Sequence, residues 1–148
     1  MEPRRTVVLV DDSLNDADFV ASAVALAGPD VTLVHFSRGE DALARIREMH
    51  PEDPSFPTLM IVDLKMPVVS GGEVVRGVRT RFGRGVLPIV VYTSSKEPND
   101  VRQAYLAGAN SYVVKPVAFE AFIEAVAGIL GYWLRVNCRA VLVEGEHG

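Results

Sequence analysis

The sequence predicts an α/β fold, a three-layer (βα)5 sandwich with a parallel sheet between two layers of helices. Three observations point to it. Short apolar runs alternate with longer helical patterns from end to end, the arrangement of successive βα units. The apolar runs are nearly continuous, as in strands buried on both faces. Asp11-Asp12, Asp63 and Lys115 each stand just past one such run. Charges there do not help a core, but in open α/β sheets the carboxyl ends of the strands are where ligands bind.

The elements follow in order. Thr6 to Val10 is the first strand. Ser13 caps a first helix that runs to about Ala27 and is stopped by Gly28-Pro29. Val31 to Phe36 is the second strand and Glu40 to Met49 the second helix. His50 to Pro57 holds three prolines in eight residues and is a loop. Leu59 to Asp63 is the third strand. Gly71-Gly72 precedes a third helix ending near Phe82. Leu87 to Thr93 is the fourth strand, and a fourth helix opens near Pro98, a favoured first-turn residue, and ends at Gly108. Ser111 to Val114 is the fifth strand. The fifth helix spans about Ala118 to Leu134, with Phe119, Phe122, Ile123, Val126, Leu130 and Trp133 on one stripe. The tail from Arg135 is mixed, with an apolar patch at Val141 to Val143.

A chain of 148 residues fits one domain. With 49% apolar and 23% charged residues it reads as a soluble globular protein. A formal charge of -4 disfavours nucleic acid and anionic membranes as partners. No apolar run reaches the roughly 18 residues of a membrane span, and the N-terminus carries no signal-peptide pattern. The single cysteine, Cys138, excludes an intramolecular disulfide and fits a reducing, cytoplasmic setting. His35, His50 and His147 lack metal-ligand spacing and read as incidental.

Each candidate site residue has two readings. Asp11 and Asp12 could hold Mg²⁺, which favours carboxylate and water oxygens, or could simply cap a helix. Asp63 could be structural, or a carboxylate nucleophile. Three carboxylates brought together repel unless a cation lies among them, and such a cost points to function. Thr93, followed by Ser94 and Ser95, could donate to a phosphoryl oxygen or begin a capped helix. Lys115 could reach across the site to a carboxylate or phosphoryl group, or be solvated in a turn. Pro116 permits a cis Lys115–Pro116 peptide that would fix the lysine's direction.

Val-Asp-Asp at 10–12, Asp-Leu-Lys-Met-Pro at 63–67, Thr-Ser-Ser at 93–95 and Val-Lys-Pro at 114–116, in this order and spacing, resemble the receiver domain of two-component response regulators. The resemblance covers about Thr6 to Leu134. It implies a flavodoxin-like sheet of order 2-1-3-4-5. It implies Asp63 as phosphoacceptor, with Asp11, Asp12, Asp63 and the backbone carbonyl of Lys65 around Mg²⁺ or Mn²⁺. Thr93 and Lys115 would bind phosphoryl oxygens, and Thr93 and Tyr112 would form the switch. Lys65, Ser94 and Ser95 flank the site, where they would tune phosphoryl lifetime. The partner would be a sensor histidine kinase.

Residues 1–134 are expected to form the receiver and 135–148 a tail too short for an output domain, so the output would be a contact with, or transfer to, an unknown downstream protein. Ala104 to Tyr112, the long loop before the third strand and Gly131-Tyr132-Trp133-Leu134 resemble the subgroup paired with phytochrome-type histidine kinases. That likeness implies a homodimer through the fourth helix, fifth strand, fifth helix and tail. The aromatic helix end at Tyr132-Trp133 fits an interface; Trp133 could equally close the domain's own core. Arg76, Arg79, Arg81 and Arg84 form a basic run that reads as a solvated face. An aspartyl phosphohydrolase is disfavoured because position 65, where such enzymes typically carry a second acid, is lysine. A binding-only pseudo-receiver usually loses an acid or the lysine, and a dinucleotide or flavin site would need a glycine-rich loop after the first strand. The chain is expected to be a signalling domain that assists its own phosphorylation and dephosphorylation, not an enzyme for external substrates.

Overall fold

The apolar runs become strands and the amphipathic stretches become helices in a computed structural model that describes residues 4–140. The order is β1 (Arg5–Val10), α1 (Leu14–Ala27), β2 (Val31–Phe36), α2 (Gly39–Arg47), β3 (Leu59–Val62), α3 (Gly71–Arg79), β4 (Ile89–Thr93), α4 (Pro98–Ala107), β5 (Ser111–Val114) and α5 (Phe119–Gly131). A π-helical turn, Tyr132–Val136, extends α5. The five strands are parallel and ordered β2-β1-β3-β4-β5, as expected for a flavodoxin-like sheet.

Side chains alternate across the sheet. Val8, Val10, Met60, Val62, Ile89 and Val91 face α2, α3 and α4 in one core cluster. Val7, Leu9, Leu59, Ile61, Val90 and Tyr92 face α1 and α5 in the other. With β1, β3 and β4 covered on both faces, side chains that could not be buried can sit only at strand ends. The ladder registers Val10 beside both Phe36 and Val62, and Thr93 beside Val114. Asp11, Asp63 and Lys115 therefore emerge together at one rim.

Three local departures from the expected pattern have physical causes. Gly71 and Gly72 lie inside the first turn of α3 rather than before it, with Ser70 as the N-cap accepting from the Glu73 N–H. A Cβ on Gly71 would run into the Asp63 backbone carbonyl, so glycine is required for α3 to start against the site. The second departure is that β4 begins at Ile89 rather than Leu87, since Pro88 has no N–H for the ladder. Third, the π turn inserts an extra residue at the end of α5, so Leu134 is buried while Trp133 is half-buried against the same core. Phe119, expected on the buried stripe, is 52% exposed. The proline-rich stretch is a loop, as expected, and it buries Phe56, whose ring meets Phe82 edge-on at 5.1 Å.

The basic run is not a uniform solvated face. Arg79 turns inward and donates to the carbonyls of Gly108, Phe82, Gly83 and Leu87 and to Asn110 Oδ1, at 2.8–3.1 Å. Burial, then the nearby Arg84 charge, pushes its pKa down to about 10, which leaves it protonated at neutral pH. Gly108 ends α4 with φ of 119°, and a Cβ there would come 2.6 Å from Arg79 Cγ. Arg76 and Arg81 are exposed as expected.

The beginning of the tail is ordered against the domain. Arg135 donates to the Ala27 carbonyl, Arg139 to the Pro57 carbonyl, and the Ala140 N–H to the Gly85 carbonyl. The Val141–Val143 patch and His147 lie outside the described residues.

Candidate functional site

Backbone hydrogen bonds carry the strand ladder one residue beyond each strand end. The Asp11 N–H donates to the Phe36 carbonyl (3.1 Å), Asp63 to Val10 (2.9 Å) and Lys115 to Thr93 (2.7 Å). These bonds fix the four site residues Asp11, Asp63, Thr93 and Lys115, all with relative exposures of 9% or less. Asp12, beside them, is exposed.

Lys115 is the electrostatic centre. Its ammonium donates to Asp11 Oδ2 and Asp16 Oδ2 at 2.8 Å each and to Asp63 Oδ2 at 3.2 Å. An ammonium has three donors, and three carboxylates use them all. Burial alone would lower the Lys115 pKa. Hydrogen bonds to Asp11 and Asp16 and the charges of Asp11 and Asp63 outweigh burial and raise it above the ordinary lysine value. For Asp11, burial pushes the carboxyl upward, against the pull of the Lys115 and Ser13 donors. With both an ammonium and the Ser13 N–H donating to it (2.9 Å for the latter), Asp11 is bound as the carboxylate.

Asp11, Asp12 and Asp63 each offer a carboxylate oxygen, and these lie within 4.8 Å of one another. Among the described residues, Asp63 Oδ1 is the buried side-chain oxygen that accepts no hydrogen bond. Such an orphan is costly, and a hard divalent cation held by Asp11, Asp12 and Asp63 would satisfy it. The residues present therefore fit a divalent metal site.

The Lys115–Pro116 peptide is trans; no cis bond occurs among the described residues. The trans form is favoured by roughly 0.5–1 kcal/mol even before proline, and the lysine is aimed by its carboxylate partners instead. Beyond Asp63 the loop tightens: the Val69 N–H donates to the Pro67 carbonyl at 2.8 Å, with Val68 between at φ 67°. That is the signature of a γ-turn, a conformation disfavoured for a β-branched residue.

The flanking residues converge on helix α4. Ser95 Oγ donates to Asp100 Oδ2 at 2.5 Å, and the exposed Lys65 ammonium pairs with the same oxygen at 3.2 Å. Those two contacts hold the Asp100 pKa below its ordinary value, the Ser95 bond contributing most. Tyr112 is half-buried and donates its hydroxyl to the Ser95 carbonyl at 2.9 Å. Ser94 is exposed. The β4–α4 loop is thus tied both to the β3–α3 loop and to the Tyr112 ring.

Several contributors were not legible in the motifs. Asp16 stands one helical turn past Asp12 and passes for an ordinary acid at a helix start. His35 is not incidental: its Nε2 lies 2.8 Å from the Asp11 backbone carbonyl, so that nitrogen carries the proton and donates. Asp100 and Gly71 likewise gain meaning only from the tertiary arrangement.

Comparison with known proteins follows the same lines. A probable methanogenesis regulatory protein, FilR2, of Methanothrix harundinacea is 31% identical over 88% of this chain and 84% of that protein. Response regulator Rcp1 of Synechocystis sp. is 28% identical over 89% of this chain and 90% of its own. The structure of an Mn²⁺-bound Rcp1 superposes with a TM-score of 0.79 at 26% identity, covering 93% of this chain and 99% of that one. The phosphorylated cyanobacterial phytochrome response regulator RcpA superposes with a TM-score of 0.84 at 25% identity, over 93% and 99% of the two chains. The sequence profile of the response regulator receiver domain matches residues 7–127, and the chain belongs to that family of signalling domains.

Proposed function

We propose that the chain accepts a phosphoryl group from a sensor histidine kinase onto Asp63 and signals through the α4-β5-α5 face or by passing the group onward. The observation that supports this most is the pairing of Lys115 with Asp63 beside an Asp63 oxygen that no protein donor satisfies. Asp11, Asp12, Asp63 and the Lys65 backbone carbonyl would hold Mg²⁺ or Mn²⁺. When bound, the cation shields the carboxylates from one another and from the incoming phosphoryl group.

An Asp63 oxygen forms a bond to phosphorus as the P–N bond of the kinase phosphohistidine breaks. The imidazole leaves with the electron pair and takes a proton from solvent. Lys115 and the Thr93 hydroxyl then bind phosphoryl oxygens. Drawing Thr93 toward the phosphoryl group shifts the β4–α4 loop. Tyr112, bonded to that loop at Ser95, carries the shift to β5, a half-buried edge strand. The added charge and acceptor oxygens bias this two-state element.

Lys65, Ser94 and Ser95 set how long the acyl phosphate lasts by controlling water and charge beside it. Lys65→Ala with Ser95→Ala also frees Asp100, and the double variant should change the dephosphorylation rate by at least threefold, followed by loss of the phosphoryl mass; equal rates would defeat the assignment.

The likeness to the cyanobacterial phytochrome response regulator RcpA favours a phytochrome-type histidine kinase as donor. Among the described residues no helix is long and apolar enough to cross a membrane. Residues 1–134 act as the receiver. Residues 135–148 join a homodimer contact that includes α4, β5 and α5, where Tyr132 is 48% exposed and stacks edge-on against Trp133. Sedimentation should find a dimer at micromolar concentration that weakens on truncation after Leu134; a monomer at all concentrations, phosphorylated or not, would refute it. The kinase assignment is tested with a radiolabelled, autophosphorylated phytochrome-type kinase. Label should move to the wild type within minutes and not to Asp63→Asn; absence of transfer to either removes that partner.

A further inference from the structure

Among the described residues, Asp16 is the one carboxylate on Lys115 that lies outside the metal-binding set. We infer that Asp16 is a positioning residue for phosphoryl transfer, holding the Lys115 ammonium in place while Asp11 and Asp63 are drawn to the cation and the phosphoryl group. The inference rests on the phosphoacceptor reading of Asp63.

Three facts carry it. The Lys115–Asp16 bond, at 2.8 Å, is as short as the bond to Asp11 and shorter than the 3.2 Å contact with Asp63. Both Asp11 oxygens already accept a hydrogen bond, Oδ1 from the Ser13 N–H and Oδ2 from Lys115. A cation at Asp11 therefore takes a second lone pair on an oxygen already in use and weakens the bond there. Asp16 itself sits on a fixed platform, the first turn of α1, where its own N–H donates to the Ser13 cap at 3.2 Å.

The consequence follows from counting donors. When phosphorus bonds to Asp63, the ammonium hydrogen now on Asp63 Oδ2 must turn to a phosphoryl oxygen. A second hydrogen is weakened as Asp11 engages the cation. The third remains on Asp16, which keeps the ammonium from swinging away. Without Asp16, the ammonium falls back on Asp11 and Asp63 and competes with the cation for both. Removing Asp16 should therefore weaken metal binding even though Asp16 binds no metal, and should slow transfer even when metal is saturating.

The experiment uses the full chain with Asp16→Ala, Asp16→Asn, Asp16→Glu, Lys115→Met and the Asp16→Ala, Lys115→Met double variant. Free Mn²⁺ is titrated by electron paramagnetic resonance with no phosphodonor present. Initial rates with acetyl phosphate at saturating Mg²⁺ are followed by intact mass: an Asp63 oxygen bonds to phosphorus and acetate departs with the electron pair. Asp16→Ala should weaken Mn²⁺ binding by about fivefold and slow phosphorylation by about tenfold. Asp16→Glu should recover part of the rate and Asp16→Asn little of it. In the Lys115→Met background, Asp16→Ala should change either quantity by less than about twofold, since a residue acting through Lys115 has nothing left to position. Equal effects with and without Lys115, or wild-type behaviour of Asp16→Ala, would overturn the inference. A wild type that gains no phosphoryl group would refute the Asp63 reading instead, and the Mn²⁺ titrations would still decide whether Asp16 steers Lys115.

Discussion

Replacing Arg79 with alanine should cost about 3 kcal/mol of folding stability, because its five acceptors lose a charged donor and several cannot reach water. The guanidinium joins the end of α3, the loop entering β4 and the α4–β5 turn. Asn110 is drawn into the same node: its Oδ1 also accepts from the Ile89 N–H, and its amide donates to the Arg84 carbonyl. Lysine at 79 should recover less than half of the loss, since a point charge cannot serve carbonyls on several sides at once. Urea denaturation of Arg79→Ala, Arg79→Lys and the exposed-site control Arg81→Ala reads the difference. A change below about 0.5 kcal/mol for Arg79→Ala would restore the view of this run as a solvated face. Charge reversal at Arg79 would for the same reason report on folding.

Lys115→Met should produce an effect whose size depends on metal. In chelator at neutral pH it leaves Asp11, Asp16 and Asp63 facing one another without their cation, and the expected loss is about 3 kcal/mol. Saturating Mg²⁺ should return most of that, because a ligand binding only the folded state stabilises it by mass action. The same variant should bind Mn²⁺ about tenfold more tightly, as the ammonium no longer competes. The pH dependence has a definite sign. The Lys115 pKa is raised on folding from the ordinary 10.5, so its stabilisation is fully present below that pH. It is lost only as pH climbs through the higher folded value. The stability gap between wild type and Lys115→Met in chelator should be flat from neutral pH to about 10 and shrink in stronger alkali. A gap that does not respond to Mg²⁺ would contradict the electrostatic account of the site.

Much of this was legible from the chain because the physics at strand ends is local. Val7 to Val10 and Leu59 to Val62 can be apolar throughout only in a sheet covered on both sides, and a charged residue next to such a run must lie at its rim. Asp11, Asp12, Asp63 and Lys115 were picked out on that basis; the structure brings oxygens of the three acids within 4.8 Å of one another and sets the Lys115 ammonium on Asp11 and Asp63. What could not be read depended on which elements become neighbours. Asp16 looks like any first-turn acid until the start of α1 is placed beside the end of β5. Arg79 looks like its neighbours in a basic run until α4 ends against it; Gly108, the expected helix end, also leaves room for the Arg79 stem. Gly71 and Gly72 were expected to precede a helix; the approach of the Asp63 carbonyl puts them inside one. His35 carries no sequence signal at all, since its partner is a backbone carbonyl.

The central claim is that Asp63 accepts a phosphoryl group in a metal-dependent reaction. The most direct measurement is intact mass after incubation with acetyl phosphate and Mg²⁺, with Asp63→Asn alongside. The account predicts a gain of one phosphoryl group in the wild type, absent in Asp63→Asn and absent when Mg²⁺ is chelated. No adduct under conditions that preserve acyl phosphates, together with no turnover of the donor, would contradict it and leave a domain that works by binding alone.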